Sequence, residues 1–69
     1  MPENFTIIEL RILEMIVGNM TDNEIAFALD ISENTVKTHF KNIFGKLGVF
    51  DKTDATDFAI KNGLMRIDV

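Results

Sequence analysis

Sixty-nine residues with eleven acids against seven bases, net −4, make one small acidic domain, near the lower size at which a single hydrophobic core holds a fold unaided. The lack of cysteine excludes a disulfide framework and thiolate metal sites, and one histidine cannot assemble a zinc centre. No apolar run is long enough to span a bilayer, and the opening MPENF lacks the regions of a signal peptide, so the expectation is a soluble, cytoplasmic chain with no membrane partner and no cofactor.

The predicted elements are all helices. A capping box, Thr6-x-x-Glu9, opens the first over 7–17, with Phe5 placed to staple against Leu10. Leu10, Leu13 and Val17 form its core stripe, widened by Ile12 and Ile16, and Gly18-Asn19 supplies a left-handed stop. A second capping box, Thr21-x-x-Glu24, opens the helix over 22–29, which turns Ile25, Ala26 and Leu29 inward. Asp30-Ile31-Ser32 then makes a tight turn with Ile31 beneath it.

Ser32 caps the third helix, 33–47, where Val36, Phe40, Ile43 and Leu47 fall on one arc at about 100° per residue. Opposite that arc lie Asn34, Lys37, Thr38 and Lys41, and on one flank Thr35, His39, Asn42 and Lys46. Lys and Thr reach base edges in a major groove, and Thr, His, Asn and Lys hold phosphate oxygens, so the polar side of this helix suits DNA. The charge distribution agrees: three lysines against Glu33 give residues 33–48 a balance of +2, leaving −6 to the rest. After a stop at Gly48, Asp51 or Thr53 caps a fourth helix over 53–62, ending at Asn62-Gly63. Ala55, Phe58 and Ala59 fit its inward stripe, with Thr56, Ile60 and Leu64-Met65 facing outward. No repeat or internal linker divides the chain, so 1–69 is one all-α domain of four helices containing a helix-turn-helix.

The run NEIAFALDISENTVKTHFKNIFGKLGV resembles the LuxR/GerE-type helix-turn-helix family at Asn23-Glu24-Ile25-Ala26, Leu29, Ile31-Ser32, Thr35-Val36-Lys37, His39, Asn42-Ile43 and Lys46-Leu47-Gly48-Val49. More weakly, the resemblance extends over Phe5 to Leu64 and implies that family's four-helix DNA-binding domain, with a dimer contact on the fourth helix. Three departures stand out. Ile7, Ile8 and Leu10 replace turn-like and polar residues, a patch that reads either as a protein contact or as a larger core. Asp22 stands at the start of the second helix, where it suits the helix dipole and repels phosphate. Phe50-Asp51-Lys52 replaces a segment in which the family often places arginine or polar residues.

The expected function is sequence-specific DNA binding by a transcriptional regulator that pairs as a homodimer and contacts transcription machinery. Lys37, Thr38 and Lys41 would read bases, Thr35, His39, Asn42 and Lys46 would set phosphate register, and Thr56, Ile60 and Leu64 would form the dimer seam. The alternative is a module of the same fold that binds a related regulator, with little DNA affinity, as the acidic surface and the Ile7-Ile8 patch would suit. No enzyme is expected: His39 has no partnered Ser or Cys nucleophile, there is no glycine-rich phosphate loop, and the carboxylates scatter over predicted outer faces.

Overall fold

The computed structural model describes residues 4–64, and within them the chain forms four α-helices. They are α1 (Ile7–Val17), α2 (Asp22–Leu29), α3 (Glu33–Leu47) and α4 (Lys52–Lys61). Three match the expected bounds. The fourth begins and ends one residue early, and it begins early because Asp51 and not Thr53 caps it, its Oδ1 accepting the Asp54 amide at 2.9 Å. Both capping boxes form: Thr6 and Thr21 each accept the amide three residues on at 3.1 Å, and Glu9 and Glu24 return the contact at 2.9 and 2.8 Å. Ser32 caps α3 by accepting the Thr35 amide at 3.1 Å.

All four helices stop in one way. A residue in the left-handed region follows each: Asn19 (φ 63°), Asp30 (φ 56°), Gly48 (φ 72°) and Gly63 (φ 68°). The next residue then donates its amide back five positions, Met20 to Met15, Ile31 to Ala26, Val49 to Phe44 and Leu64 to Ala59, at 2.9–3.1 Å. Those four donors are all apolar, all half-buried, and all packed against the core. Each is thus the apolar contact that accompanies this type of helix stop, tying the reversal of the chain to the interior.

That motif corrects the reading of Leu64 as an outward residue. Gly63 turns the chain, so Leu64 no longer continues the spacing of α4 and folds back on the core. Met65, read with it, lies outside the described residues. Gly18 keeps an ordinary φ of −74°, and Asn19 alone takes the left-handed position.

The core is built from one face of every helix: Ile12, Leu13 and Ile16; Ile25 and Ala26; Val36, Phe40, Ile43 and Leu47; Ala55 and Ala59. α1 packs on α4 and α3, and α2 packs on α3. Leu10 and Val17, expected in the central stripe, are only half-buried, because the Ile12-Leu13-Ile16 face points at the centre and they fall at its margins. Phe58 is likewise half-buried against the core. Of the suspected patch, Ile7 is exposed, whereas Ile8 and Leu10 are half-buried and Ile8 packs on the core.

Candidate nucleic-acid interface

α2, the turn at Asp30-Ile31-Ser32 and α3 place α3 with its apolar arc inward, as the helical wheel predicts, and Val36, Phe40, Ile43 and Leu47 are all buried. Asn34, Lys37, Thr38 and Lys41 are exposed on the opposite side. On the flank Thr35, Asn42 and Lys46 are exposed and His39 is half-buried. Phe44 was not assigned to the core arc from the sequence. It is half-buried and stacks on Phe40 with ring centroids 5.7 Å apart.

The hydrogen bonds separate committed side chains from free ones. The Ser32 and Thr35 hydroxyls lie 2.9 Å apart, so Thr35 is held in the N-cap. Glu33 accepts from Asn23 Nδ2 at 3.1 Å, which fastens the start of α3 to α2. The Thr38 hydroxyl donates to the Asn34 carbonyl at 3.1 Å, leaving its methyl group as the outward feature.

Lysine 46 differs most from expectation. Its ammonium lies 2.5 Å from Glu9 Oε1 and donates to the Asn4 carbonyl at 2.6 Å, above the Phe5 ring. Glu9, expected on an outer face, is 4 % exposed and is the buried charged residue of the core. Burial pushes its carboxyl pKa up; the hydrogen bond from Lys46, the Thr6 backbone amide, the nearby ammonium charge and the Thr6 side chain together outweigh that and hold it below the usual value. Neither feature shows in the sequence, because 37 positions separate the partners.

A second ion pair joins Lys52 Nζ to Asp22 Oδ1 at 2.8 Å, with the ammonium 5.7 Å from the Phe40 ring centroid. It neutralises the acid at the start of α2. Among the described residues Lys37 and Lys41 have no ion-pair partner. One turn apart, they line an open groove together with Phe40, Phe44, Gly45, Val49 and Phe50. Phe50 is 92 % exposed, and so, at 88 %, is Phe27 on α2, which the sequence reading did not single out. No group of three metal-ligating side chains occurs among the described residues, and no helix there is long and apolar enough to cross a membrane.

Comparison with known proteins agrees with this architecture. Residues 3–59 match the family described as bacterial regulatory proteins, luxR family. The chain is 44 % identical over 63 residues to the transcriptional regulatory protein LiaR of Bacillus subtilis, covering 91 % of this chain and 30 % of LiaR. It is 46 % identical over 54 residues to the CsgBAC operon transcriptional regulatory protein of Escherichia coli, covering 78 % of this chain and 25 % of that protein. The crystal structure of the response regulator ChrA, from a heme-sensing two-component system, superposes with a TM-score of 0.84 at 35 % identity, over 94 % of this chain and 33 % of ChrA. The chain therefore spans about a third or less of the length of these relatives. With four helices, a helix-turn-helix among them and a family match over most of its length, the chain belongs to the luxR family of bacterial regulatory proteins.

Proposed function

We propose that the domain is the DNA-binding part of a cytoplasmic transcriptional regulator and that α3 enters the major groove of duplex DNA. Lys37, Thr38 and Lys41 face the base edges, Thr38 through its methyl group and the lysines through their ammonium groups. Thr35, His39 and Asn42 lie along the flank that meets the phosphates, and Lys46 joins them to the extent that a phosphate competes with Glu9 for its ammonium. The observation that carries this reading is the exposed face of α3, where two lysines without ion-pair partners among the described residues stand together on a domain of net charge −4.

Pairing through α4 completes the proposal. One reading helix makes few base contacts, so useful specificity requires two half-sites about one turn of DNA apart. With Leu64 folded onto the core, the outward seam on α4 narrows to the exposed Ile60 and the half-buried Thr56, whose hydroxyl donates to the Lys52 carbonyl at 2.9 Å. So small a seam supports a weak dimer that DNA strengthens.

Binding to random and to selected duplexes, measured across a salt series, tests the reading. Steep loss of affinity with salt on both, with tighter binding to the selected site, is the expected result. Affinity for neither duplex would point instead to a protein-binding module that uses exposed Phe27 and Phe50.

A further inference from the structure

From Ser32 to Thr35, across the cap and first turn of α3, the polar side chains are occupied among the described residues with one exception. Ser32 and Thr35 bond each other, Glu33 holds Asn23, and Thr38 donates to the Asn34 carbonyl. Asn34 is the second residue of α3, exposed, and its carboxamide has no hydrogen-bond partner among the described residues. It lies three, four and seven positions before Lys37, Thr38 and Lys41, so all four share one stripe of the helix. An unpaired asparagine also makes a poorer helix residue than alanine, and no side-chain hydrogen bond among the described residues offsets that.

We infer that Asn34 is a specificity residue that reads one adenine in each half-site, its carboxamide oxygen accepting from adenine N6 and its nitrogen donating to N7. The inference rests on the docking of α3 proposed above. A carboxamide is a planar donor and acceptor at fixed spacing, the pattern an adenine presents in the major groove. In a docked reading helix the N-terminal residues contact base edges, and Asn34 is the first-turn polar side chain without a partner among the described residues. Thr38, with its hydroxyl tied to the Asn34 carbonyl, reads by its methyl group, so thymine methyl is its natural contact. Lysines 37 and 41 favour guanine acceptors. The half-site is then A, T and G read from successive turns of one stripe, not a run of guanines read by lysine alone.

Selection from a randomised duplex pool with the parent, Asn34→Ala and Lys37→Ala tests it. Asn34 is exposed and alanine suits a helix, so this variant keeps the fold, which a melting curve checks. The expected result is one position per half-site where the parent prefers adenine by about 5–150-fold and Asn34→Ala shows no preference, other positions unchanged. Replacing that adenine by 7-deazaadenine removes the N7 acceptor; it should weaken the parent about three- to tenfold and leave Asn34→Ala unaffected. If Lys37→Ala alters the selected site while Asn34→Ala selects the parental one, the Asn34 assignment falls and the docking of α3 survives. Equal penalties from 7-deazaadenine on parent and variant also overturn it. A parent that selects no site overturns both.

Discussion

Lysine 46, in the last turn of α3, reaches across to Glu9 in the first turn of α1, and the same carboxylate oxygen accepts both its ammonium and the Thr6 amide. The cap of one helix is thereby the anchor of another. Glu9→Ala removes the return arm of the capping box and the charged bond together, and should cost about 1–3 kcal/mol in chemical denaturation.

The same pair sets an acid limit. The Glu9 carboxyl has a lower pKa folded than unfolded, so it binds more protons in the unfolded chain, and its contribution to stability is fully present above the unfolded value. That contribution declines as pH falls from there to the folded value and is gone below it. Denaturation midpoints followed downward from pH 6 should fall more for the parent than for Glu9→Gln, the gap closing toward the acid end. Parallel curves would mean that Glu9 does not titrate differently on folding.

DNA affinity gives a second reading of this contact. If phosphate and Glu9 compete for Lys46, Glu9→Gln should tighten binding to random duplex on the order of fivefold at 0.15 M salt, and more at lower salt. Placing Lys46→Ala behind it should abolish the gain. Fluorescence anisotropy on the single and double variants measures both.

Phe40 is the core residue whose loss bears most directly on the interface. It is buried, stacks on Phe44 and lies beneath the Lys52 ammonium, three or four residues from Lys37, Phe44 and Ile43. Phe40→Ala should cost about 3–5 kcal/mol, enough to unfold so small a domain near room temperature. Circular dichroism melting decides this.

Two backbone positions should respond in the stabilising direction. Asp30 holds a φ of 56° that costs an L-residue about 1–2 kcal/mol, so Asp30→Gly should be neutral to about 1 kcal/mol stabilising after the entropy of glycine is counted. Gly45 stands inside α3 with nothing within 4 Å of an added Cβ, and Gly45→Ala should stabilise by about 1 kcal/mol. Gly48→Ala should do the reverse, because its φ is 72°.

Pairing is testable apart from DNA. Sedimentation at rising concentration should show a monomer–dimer equilibrium that Ile60→Asp shifts toward monomer with the melting curve unchanged, since Ile60 is exposed. A parent that remains monomeric, with Ile60→Asp binding a palindromic site as well as the parent does, would place the contact elsewhere.

The helix starts were legible in the sequence because caps are local chemistry: Thr6, Thr21 and Ser32 fix α1, α2 and α3 within three residues of themselves. The polar face of α3 was legible because helical periodicity decides which side chains point outward. What escaped was set by approach in space. The burial of Glu9 and the capture of Lys46 depend on the last turn of α3 meeting the first turn of α1, and the commitment of Thr38 to the Asn34 carbonyl depends on a rotamer. Leu64 misled because a spacing of four continues only while the helix does, and Gly63 ends it.

The four matching helix stops bear on what DNA binding costs. Met20, Ile31, Val49 and Leu64 seat each chain reversal in the core, so the end of a helix cannot loosen without uncovering apolar surface. Fraying is thereby coupled to global opening, and the Val49 amide at the close of α3 should exchange its hydrogen at nearly the rate of the most protected core amides. In the proposed docking, an α3 fixed at both ends, by Ser32 and Val49, would meet the groove already ordered. Little conformational entropy would then be lost on docking, and a mismatch of shape would fall to bending of the duplex.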